Sequence, residues 1–204
     1  MPIGRTRSDR DRCYSLAVAS LPEIEPRPIS VAEYHRMIDA GILDEDERVE
    51  LLEGVIATMS PQNDPHSFAL EELNSILVPQ VQGRFRVRIQ SPVTLGDRSE
   101  PEPDAVIVPP RSVRGRGHPT SALLVIEISD TSLRRDRGVK SRIYARGGVP
   151  EYWIVNLKER CIEVYRDPDA AAGTYLASLH VPAGQEARPI LVPGVVVPVA
   201  ALFD

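Results

Sequence analysis

The chain has 204 residues, of which 42% are hydrophobic and 26% are charged, and this predicts one globular domain with a core of its own. Its formal net charge of −5 argues against a protein that coats nucleic acid through bulk electrostatics. No apolar stretch is long enough to cross a bilayer, so we expect a soluble protein of the cytoplasm.

Residues 1–28 are expected to form a flexible basic arm, because the first dozen residues carry four arginines and the apolar run "YSLAVASL" is too short for a signal peptide. A single domain should then occupy residues 29–204. Cys13 and Cys161 lie far apart and lack the spacing of metal ligands, so we interpret them as reduced, incidental thiols.

The first half of the domain predicts two helices and a hairpin. A short helix should follow Ser30, with Glu33 completing a capping box, and "RVELLEGVIATMS" predicts a hairpin around Glu53 and Gly54. A second, amphipathic helix should begin near Pro65. Its apolar face is predicted from the residues at helical spacing, which are Phe68, Leu73, Ile76 and Leu77.

The second half predicts strands around one more helix. "RFRVRIQ" alternates as a half-buried strand does, and "PDAVIV" and "ALLVIEIS" predict two apolar strands on either side of a loop at residues 109–120. "SLRRDRGVKSRIYARGG" predicts a helix, and "EYWIVN" with "CIEVYRD" a hairpin in which Tyr152 and Trp153 pack the core. The apolar tail should close the sheet. The order predicts a central mixed sheet flanked by helices, in the α/β or α+β class.

Glu127 interrupts the apolar run "LLVIEIS", where an ionised carboxylate needs a partner. If the strands that contain "PDAVIV" and "LLVIEIS" pair antiparallel, Asp104 and Glu127 meet at one edge of the sheet. Two carboxylates there would repel each other, and a hard divalent ion, Mg²⁺ or Mn²⁺, would relieve the repulsion. Alternatively, Glu127 is only an internal partner of a lysine or an arginine.

The helix after Glu127 offers a basic group. Asp136, Lys140 and Tyr144 recur at four-residue spacing and so share one helical face. If that face lies against the end of the Glu127 strand, Lys140 can orient or deprotonate the attacking water, or neutralise charge on an attacked phosphate.

Five blocks together resemble the Uma-two family of restriction-endonuclease-like proteins, within the PD-(D/E)XK nuclease superfamily; they are "ERVELLEGVIATMSP", "PEPDAVIV", "LLVIEIS", "RRDRGVKSRIYARGGVPEYWIV" and "IEVYR". The resemblance covers roughly residues 29–190 and implies a restriction-endonuclease-like fold. It also implies that Asp104 is the motif aspartate and Glu127 the acidic member. Ser129 stands where the superfamily carries its lysine, and in the Uma-two pattern Lys140 takes that place.

The resemblance also extends to Glu50 and His66, for which it implies a place around the cation or at a phosphate. For His66, a solvent-facing residue of the first helical turn is an equal alternative. Asp136 is a further candidate around the site, and Glu53, at a hairpin tip, is expected to be solvated.

Six arginines are candidates for phosphate contacts, and they are Arg84, Arg86 and Arg88 on one strand and Arg111, Arg114 and Arg116 in the long loop. For the first three, a merely solvated strand face is the favoured interpretation.

Two functions remain open from the sequence. The first is a Mg²⁺-dependent or Mn²⁺-dependent endonuclease that acts on nucleic acid, DNA by expectation, as a homodimer with two active sites. The second is a binding protein on a nuclease fold with a metal site but no turnover, which the acidic net charge favours.

Overall fold

The computed structural model describes residues 26–44, 46–81, 83–110 and 117–203. Most of the predicted basic arm and the loop arginines Arg111, Arg114 and Arg116 lie outside the described residues. Among the residues that are described, no helix combines the length and the apolar character that a bilayer span requires.

The described residues include four short or medium helices. They are α1 (Val31–Asp39), α2 (Asp64–Val81), α3 (Leu133–Arg135) and α4 (Ser141–Arg146). A π-helical turn, Asp136–Lys140, joins α3 to α4 without a break. The predicted capping box is present at α1, where Ser30 accepts from the Glu33 N–H and the Glu33 carboxylate accepts from the Ser30 N–H.

Within the part of the chain that the structure describes, the central sheet has six strands. They are β3 (Arg86–Ile89), β4 (Ala105–Val108), β5 (Leu124–Ser129), β6 (Glu151–Asn156), β7 (Cys161–Asp169) and β8 (Thr174–Pro182), in this spatial order. Only β5 and β6 run parallel, because the helical segment α3–α4 crosses over between them, and the other neighbours are antiparallel. The prediction of a central mixed sheet flanked by helices is therefore confirmed.

The hairpin of β1 (Val49–Leu52) and β2 (Val55–Thr58) forms a separate two-stranded sheet with its turn at Glu53 and Gly54. It reaches the central domain through backbone hydrogen bonds between Leu51 and Glu100, the residue that leads toward β4. This attachment brings the buried face of β1 beside the ends of β4 and β5.

Alternation along β5 separates the two faces of the sheet. Leu124, Ile126 and Ile128 pack in the core beneath α2, whereas Val125 packs on the opposite face, beneath α4. Because successive side chains point to opposite faces, Glu127 shares the face of Val125. The strand pattern therefore directs its carboxylate toward the helix that carries Lys140.

The chain end differs from its prediction. It forms no strand of the central sheet but a small ladder of β9 (Glu186–Ala187) and β10 (Val197–Pro198), followed by a 3₁₀ turn at Val199–Leu202. These residues pack against α2 and complete the core on that face. Three prolines in "RPILVPGVVVP" explain the correction, since proline cannot donate to a sheet ladder.

Three further predictions concern which side chains are buried. Trp153 and Tyr152 are fully buried, which confirms the core assignment. Phe68 is exposed on α2, so its place on the apolar face was wrong, whereas Leu73 and Leu77 are buried as predicted. Cys161 is a buried free thiol, as expected.

Glu53 was expected to be solvated because it lies in the turn of the hairpin, but the structure shows it bound by two arginines. Its carboxylate accepts hydrogen bonds from Arg142 at 2.5 Å and Arg146 at 2.8 Å, and so ties the hairpin to α4. The hydrogen bond from Arg142 is the main reason that the pKa of Glu53 is lowered.

Candidate active site

A cavity of about 50 Å³ opens where β1, β4, β5 and the N-terminus of α2 meet the π-helical turn. Its volume exceeds the roughly 10–15 Å³ that one water molecule needs, so it can hold an ion with some of its water. The six residues singled out in the sequence all line it, and they are Glu50, His66, Asp104, Glu127, Asp136 and Lys140.

Asp104 lies one residue before β4 and faces the end of β5. The register pairs Ala105 with Ile126, as the proposed antiparallel arrangement requires. Its carboxylate accepts a hydrogen bond of 2.7 Å from the backbone N–H of Ile128 and lies 3.2 Å from Nε2 of His66. These contacts fix the orientation of the carboxylate and leave it partly open to the cavity.

Glu127 is buried, with one oxygen held by two donors. Its Oε1 accepts from Lys140 Nζ at 2.9 Å and from the Tyr144 hydroxyl at 2.5 Å. Burial, with smaller contributions from the nearby carboxylates, raises the pKa of Glu127 to about 8 despite the opposing effect of Lys140. The ionised form of the Glu127 carboxyl group is therefore poorly stabilised by the protein alone.

Lys140 occupies the last position of the π-helical turn and is only 4% exposed. Its ammonium lies 2.9 Å from Glu127 and 3.1 Å from Glu50 Oε2, so it bridges β5 to β1. Burial alone would lower the pKa of Lys140, but Glu127, Glu50 and Asp136 more than offset it and raise the pKa. Lys140 is therefore a permanent cation at this place.

Asp136 and Tyr144 share the buried helical face with Lys140, as their spacing predicts. Asp136 accepts a hydrogen bond of 2.5 Å from the Ser132 hydroxyl, and burial raises its pKa. The backbone N–H of Ser141 donates to the Asp136 carbonyl five residues back, which widens the turn. Such π-helical turns recur at functional sites because they re-aim side chains.

Three buried polar atoms of residues that line the cavity lack a partner among the described residues. They are Oε1 of Glu50, Nδ1 of His66 and Nε of Arg135. An orphaned carboxylate oxygen in a buried setting is costly unless a cation or water satisfies it. Together with Asp104 and Glu127, it makes an oxygen-rich set of the kind that suits Mg²⁺ or Mn²⁺.

Four charged residues that line the same cavity were not singled out from the sequence, namely Arg48, Glu102, Asp130 and Arg135. Burial raises the pKa of Glu102, and Arg135 donates to the Thr58 carbonyl at 2.9 Å and to Ser60 at 3.0 Å. Glu102 stands two residues before Asp104 in "PEPD", a spacing that could have indicated it. By contrast, Arg84, Arg86 and Arg88 do not line this cavity.

The family model described as "putative restriction endonuclease", Uma2, matches residues 31–200, most of the chain. The chain belongs to the Uma2 family. This confirms the resemblance drawn from the sequence blocks, and it makes the protein a member of a restriction-endonuclease-like nuclease family.

The fold is similar to that of a solved structure. It is the crystal structure of a "putative nuclease belonging to DUF820" from Anabaena variabilis, 20% identical, with a TM-score of 0.69. The match covers 86% of the present chain and 98% of that one. At this identity the likeness establishes the fold alone. No curated protein matches the sequence.

Proposed function

We propose that this Uma2 protein is a metal-dependent endonuclease that hydrolyses phosphodiester bonds of nucleic acid. The observation that carries the proposal is the composition of the cavity. Six carboxylates line it, and they are Glu50, Glu102, Asp104, Glu127, Asp130 and Asp136, whereas Lys140 is the one buried cation among its described residues. This excess of negative charge favours a divalent ion at the position that Asp104 and Glu127 flank.

Asp104 and Glu127 would hold Mg²⁺ or Mn²⁺, and Glu50 would complete the shell with its orphaned oxygen. The bound ion would supply the Lewis acid that makes water nucleophilic and neutralises charge on the attacked phosphate. The Ile128 N–H and His66 keep the Asp104 carboxylate oriented, while Tyr144 does the same for Glu127.

Lys140 would act on the attacking water or on the phosphate. Its ammonium is already aimed at the cavity by Glu127 and Glu50, so no side-chain reorganisation is needed before the reaction. The deepest part of the cavity thus combines the acidic pair with one fixed donor. Arg48 and Arg135, which line the same cavity, would contact the phosphates on either side of the scissile bond.

The competing function is a binding protein without turnover. The same contacts support it, because Lys140 neutralises Glu127 and Glu50 as a structural ion pair would. A plasmid-cleavage assay with Mg²⁺ or Mn²⁺ separates the two functions. Cleavage of plasmid or RNA by the purified protein supports the nuclease, and its absence on both substrates supports the binding protein.

We further propose that the substrate is DNA, that the protein acts in the cytoplasm, and that it works as a homodimer. The last follows from the reaction, since cutting both strands of a duplex requires two active sites and a symmetric dimer provides them.

Metal binding should stabilise the fold. An ion that binds only the folded state raises the free energy of unfolding by about 2.7 kcal/mol at a hundredfold excess over its dissociation constant. We expect this shift in thermal unfolding with Mg²⁺ or Mn²⁺, and we expect Glu127→Gln to lose most of it. Glu71→Gln, an exposed change on α2, is the matched control and should keep the full shift. Retention of the shift in Glu127→Gln would place the ion elsewhere.

The metal response should also depend on pH. The pKa of Glu127 is higher in the folded protein than in the unfolded chain, so this carboxyl stabilises the metal-free fold most at acid pH and loses that contribution as the pH rises through about 8. Metal binding must displace the proton, so the affinity for Mg²⁺ should rise by up to about tenfold per pH unit below that value. Calorimetric titrations at pH 6, 7 and 8 would measure it, and a flat profile would contradict the assignment of Glu127.

A further inference from the structure

A second cluster of metal-ligating side chains lies outside the nuclease cavity. His35 projects from α1, Glu100 lies next to β1, and His118 lies near the end of the loop after β4. One ligand atom from each residue lies within 4.8 Å of the other two. Three distant parts of the chain therefore converge on one point.

The geometry of the cluster is close to that of a metal site. Nε2 of His35 lies 2.7 Å from Oε1 of Glu100, and Nε2 of His118 lies 3.9 Å from the same oxygen. Tetrahedral zinc with bonds of about 2.0–2.2 Å places neighbouring ligand atoms about 3.4 Å apart. The observed distances bracket that value, so small side-chain rotations would bring the three atoms into position.

Glu100 is held as a metal-ligating carboxylate usually is. It is 3% exposed, and its second oxygen, Oε2, accepts a 2.6 Å hydrogen bond from the Thr94 hydroxyl. The first oxygen is thereby directed at the two histidines. Such an outer partner fixes the orientation of a ligand and is a regular feature of metal centres.

The same threonine also positions the second histidine. The backbone N–H of Thr94 donates to the carbonyl of Pro119, the residue after His118, at 2.9 Å. Backbone hydrogen bonds between Glu100 and Leu51 anchor the carboxylate on the other side. The three side chains are thus assembled by the fold itself, before any ion binds.

The donor set distinguishes this cluster from the nuclease cavity. Two imidazoles and one carboxylate suit Zn²⁺ and leave the fourth tetrahedral position open, whereas the oxygen-rich nuclease cavity suits Mg²⁺. A cavity of about 440 Å³ adjoins the cluster and gives that position access to solvent. The two cavities share only Glu102 among the described residues, so their ligand sets are separate.

We propose that His35, Glu100 and His118 form a second metal site that binds Zn²⁺ in preference to Mg²⁺, with one coordination position open to water. The bound ion would link α1 to the segment that follows β4. Its ligand Glu100 begins the segment "EPEPD", which ends at Asp104 of the nuclease cavity. A metal-free hydrogen-bonded trio is the competing explanation, and zinc content distinguishes the two.

The test is direct measurement of Zn²⁺ on the full-length protein. After incubation with Zn²⁺ and desalting, elemental analysis should find one equivalent per chain, and competition with a chromogenic chelator should give its affinity. His35→Ala and His118→Ala should each weaken that affinity at least about 100-fold, and Thr94→Val should weaken it about 10–100-fold. Both histidines are partly exposed, at 42% and 33%, so these variants should fold, as circular dichroism would verify.

Two controls tie the ion to this cluster. Asp104→Asn should retain the zinc, because it alters only the nuclease cavity, and His180→Ala should retain it although His180 belongs to another group of nearby ligand types with Glu159 and Cys161. Co²⁺ in place of Zn²⁺ should give the absorption of a tetrahedral site in the parent and lose it in His118→Ala. The proposal is overturned if the parent binds no zinc, if both histidine variants bind it normally, or if either control loses it.

Discussion

Asp104→Asn should abolish phosphodiester cleavage, by about 10³-fold or more, and leave the protein folded. The amide oxygen can still accept from the Ile128 N–H, so the hydrogen bond that holds this chain segment survives. The lost negative charge, however, removes one of the two groups that would flank the metal ion. Initial rates of plasmid nicking at saturating Mg²⁺ would measure the effect, with thermal unfolding as the test of folding.

The matched control is Asp64→Asn. Asp64 is an exposed carboxylate in the first turn of α2, two residues from His66, and its removal changes the local charge without touching the cavity lining. We expect cleavage at the parent rate. If Asp104→Asn cleaves as fast as Asp64→Asn, Asp104 has no part in the reaction, and the cavity is not the active site.

The fold was predictable where a local pattern carries the information. Strict alternation predicted β3, and the unbroken apolar runs predicted β4 and β5, which are buried on both faces. The Ser30 and Glu33 pair predicted the start of α1 in the same way. The tail was misassigned because its apolar character indicates burial but not whether it lies beside the sheet or upon it.

The position of two residues of the candidate site was predictable from the same strands. A carboxylate in an apolar run and a carboxylate before the preceding strand are enough to place Glu127 and Asp104 at one edge, and the structure brings both to one cavity. Glu50 and His66 were indicated only by the resemblance, since their meeting with Asp104 depends on how the β1–β2 hairpin docks. Neither local spacing nor composition reports that docking.

Ser129, where the resemblance implies a lysine in related nucleases, belongs to a small hydroxyl network in this structure. Ser129 is buried at the end of β5, and its hydroxyl lies 3.3 Å from that of Ser132, which in turn donates to Asp136. The π-helical turn then places Lys140 against Glu127 from above the sheet. The ammonium therefore reaches Glu127 from the helix after β5 and not from β5 itself. The four-residue spacing predicted that Lys140 lies on the helical face toward Glu127, and in the structure the π-helical turn holds it there.

Lys140→Met should lower the stability of the metal-free protein and abolish cleavage. Added metal should restore the stability but not the cleavage. Without metal, removing the ammonium leaves Glu127 and Glu50 buried and uncompensated, which costs about 3–5 kcal/mol of unfolding free energy. The loss should be smaller at pH 6 than at pH 8, because burial raises the pKa of Glu127 and the carboxyl can take up a proton instead. Chemical denaturation at both pH values would measure it.

With Mg²⁺ the same variant should regain much of that stability, because the ion supplies the positive charge that the two carboxylates lost. Cleavage should nevertheless stay absent if Lys140 acts on the attacking water or the phosphate. Tyr144→Phe is the informative companion, since it removes a neutral donor from the same Glu127 oxygen and keeps the ammonium. We expect it to cleave more slowly than the parent but measurably.

Lys158→Met controls for the loss of a lysine as such. Lys158 is 63% exposed and lies 4.0 Å from Asp130, so its removal should change stability by less than about 1 kcal/mol and leave cleavage intact. A Lys140→Met protein that is folded, saturated with metal and active at the parent rate would restrict Lys140 to a structural ion pair. A folded, metal-saturated and inactive one would show that the ammonium acts in the reaction, because at that point the ion has already replaced its charge in the fold.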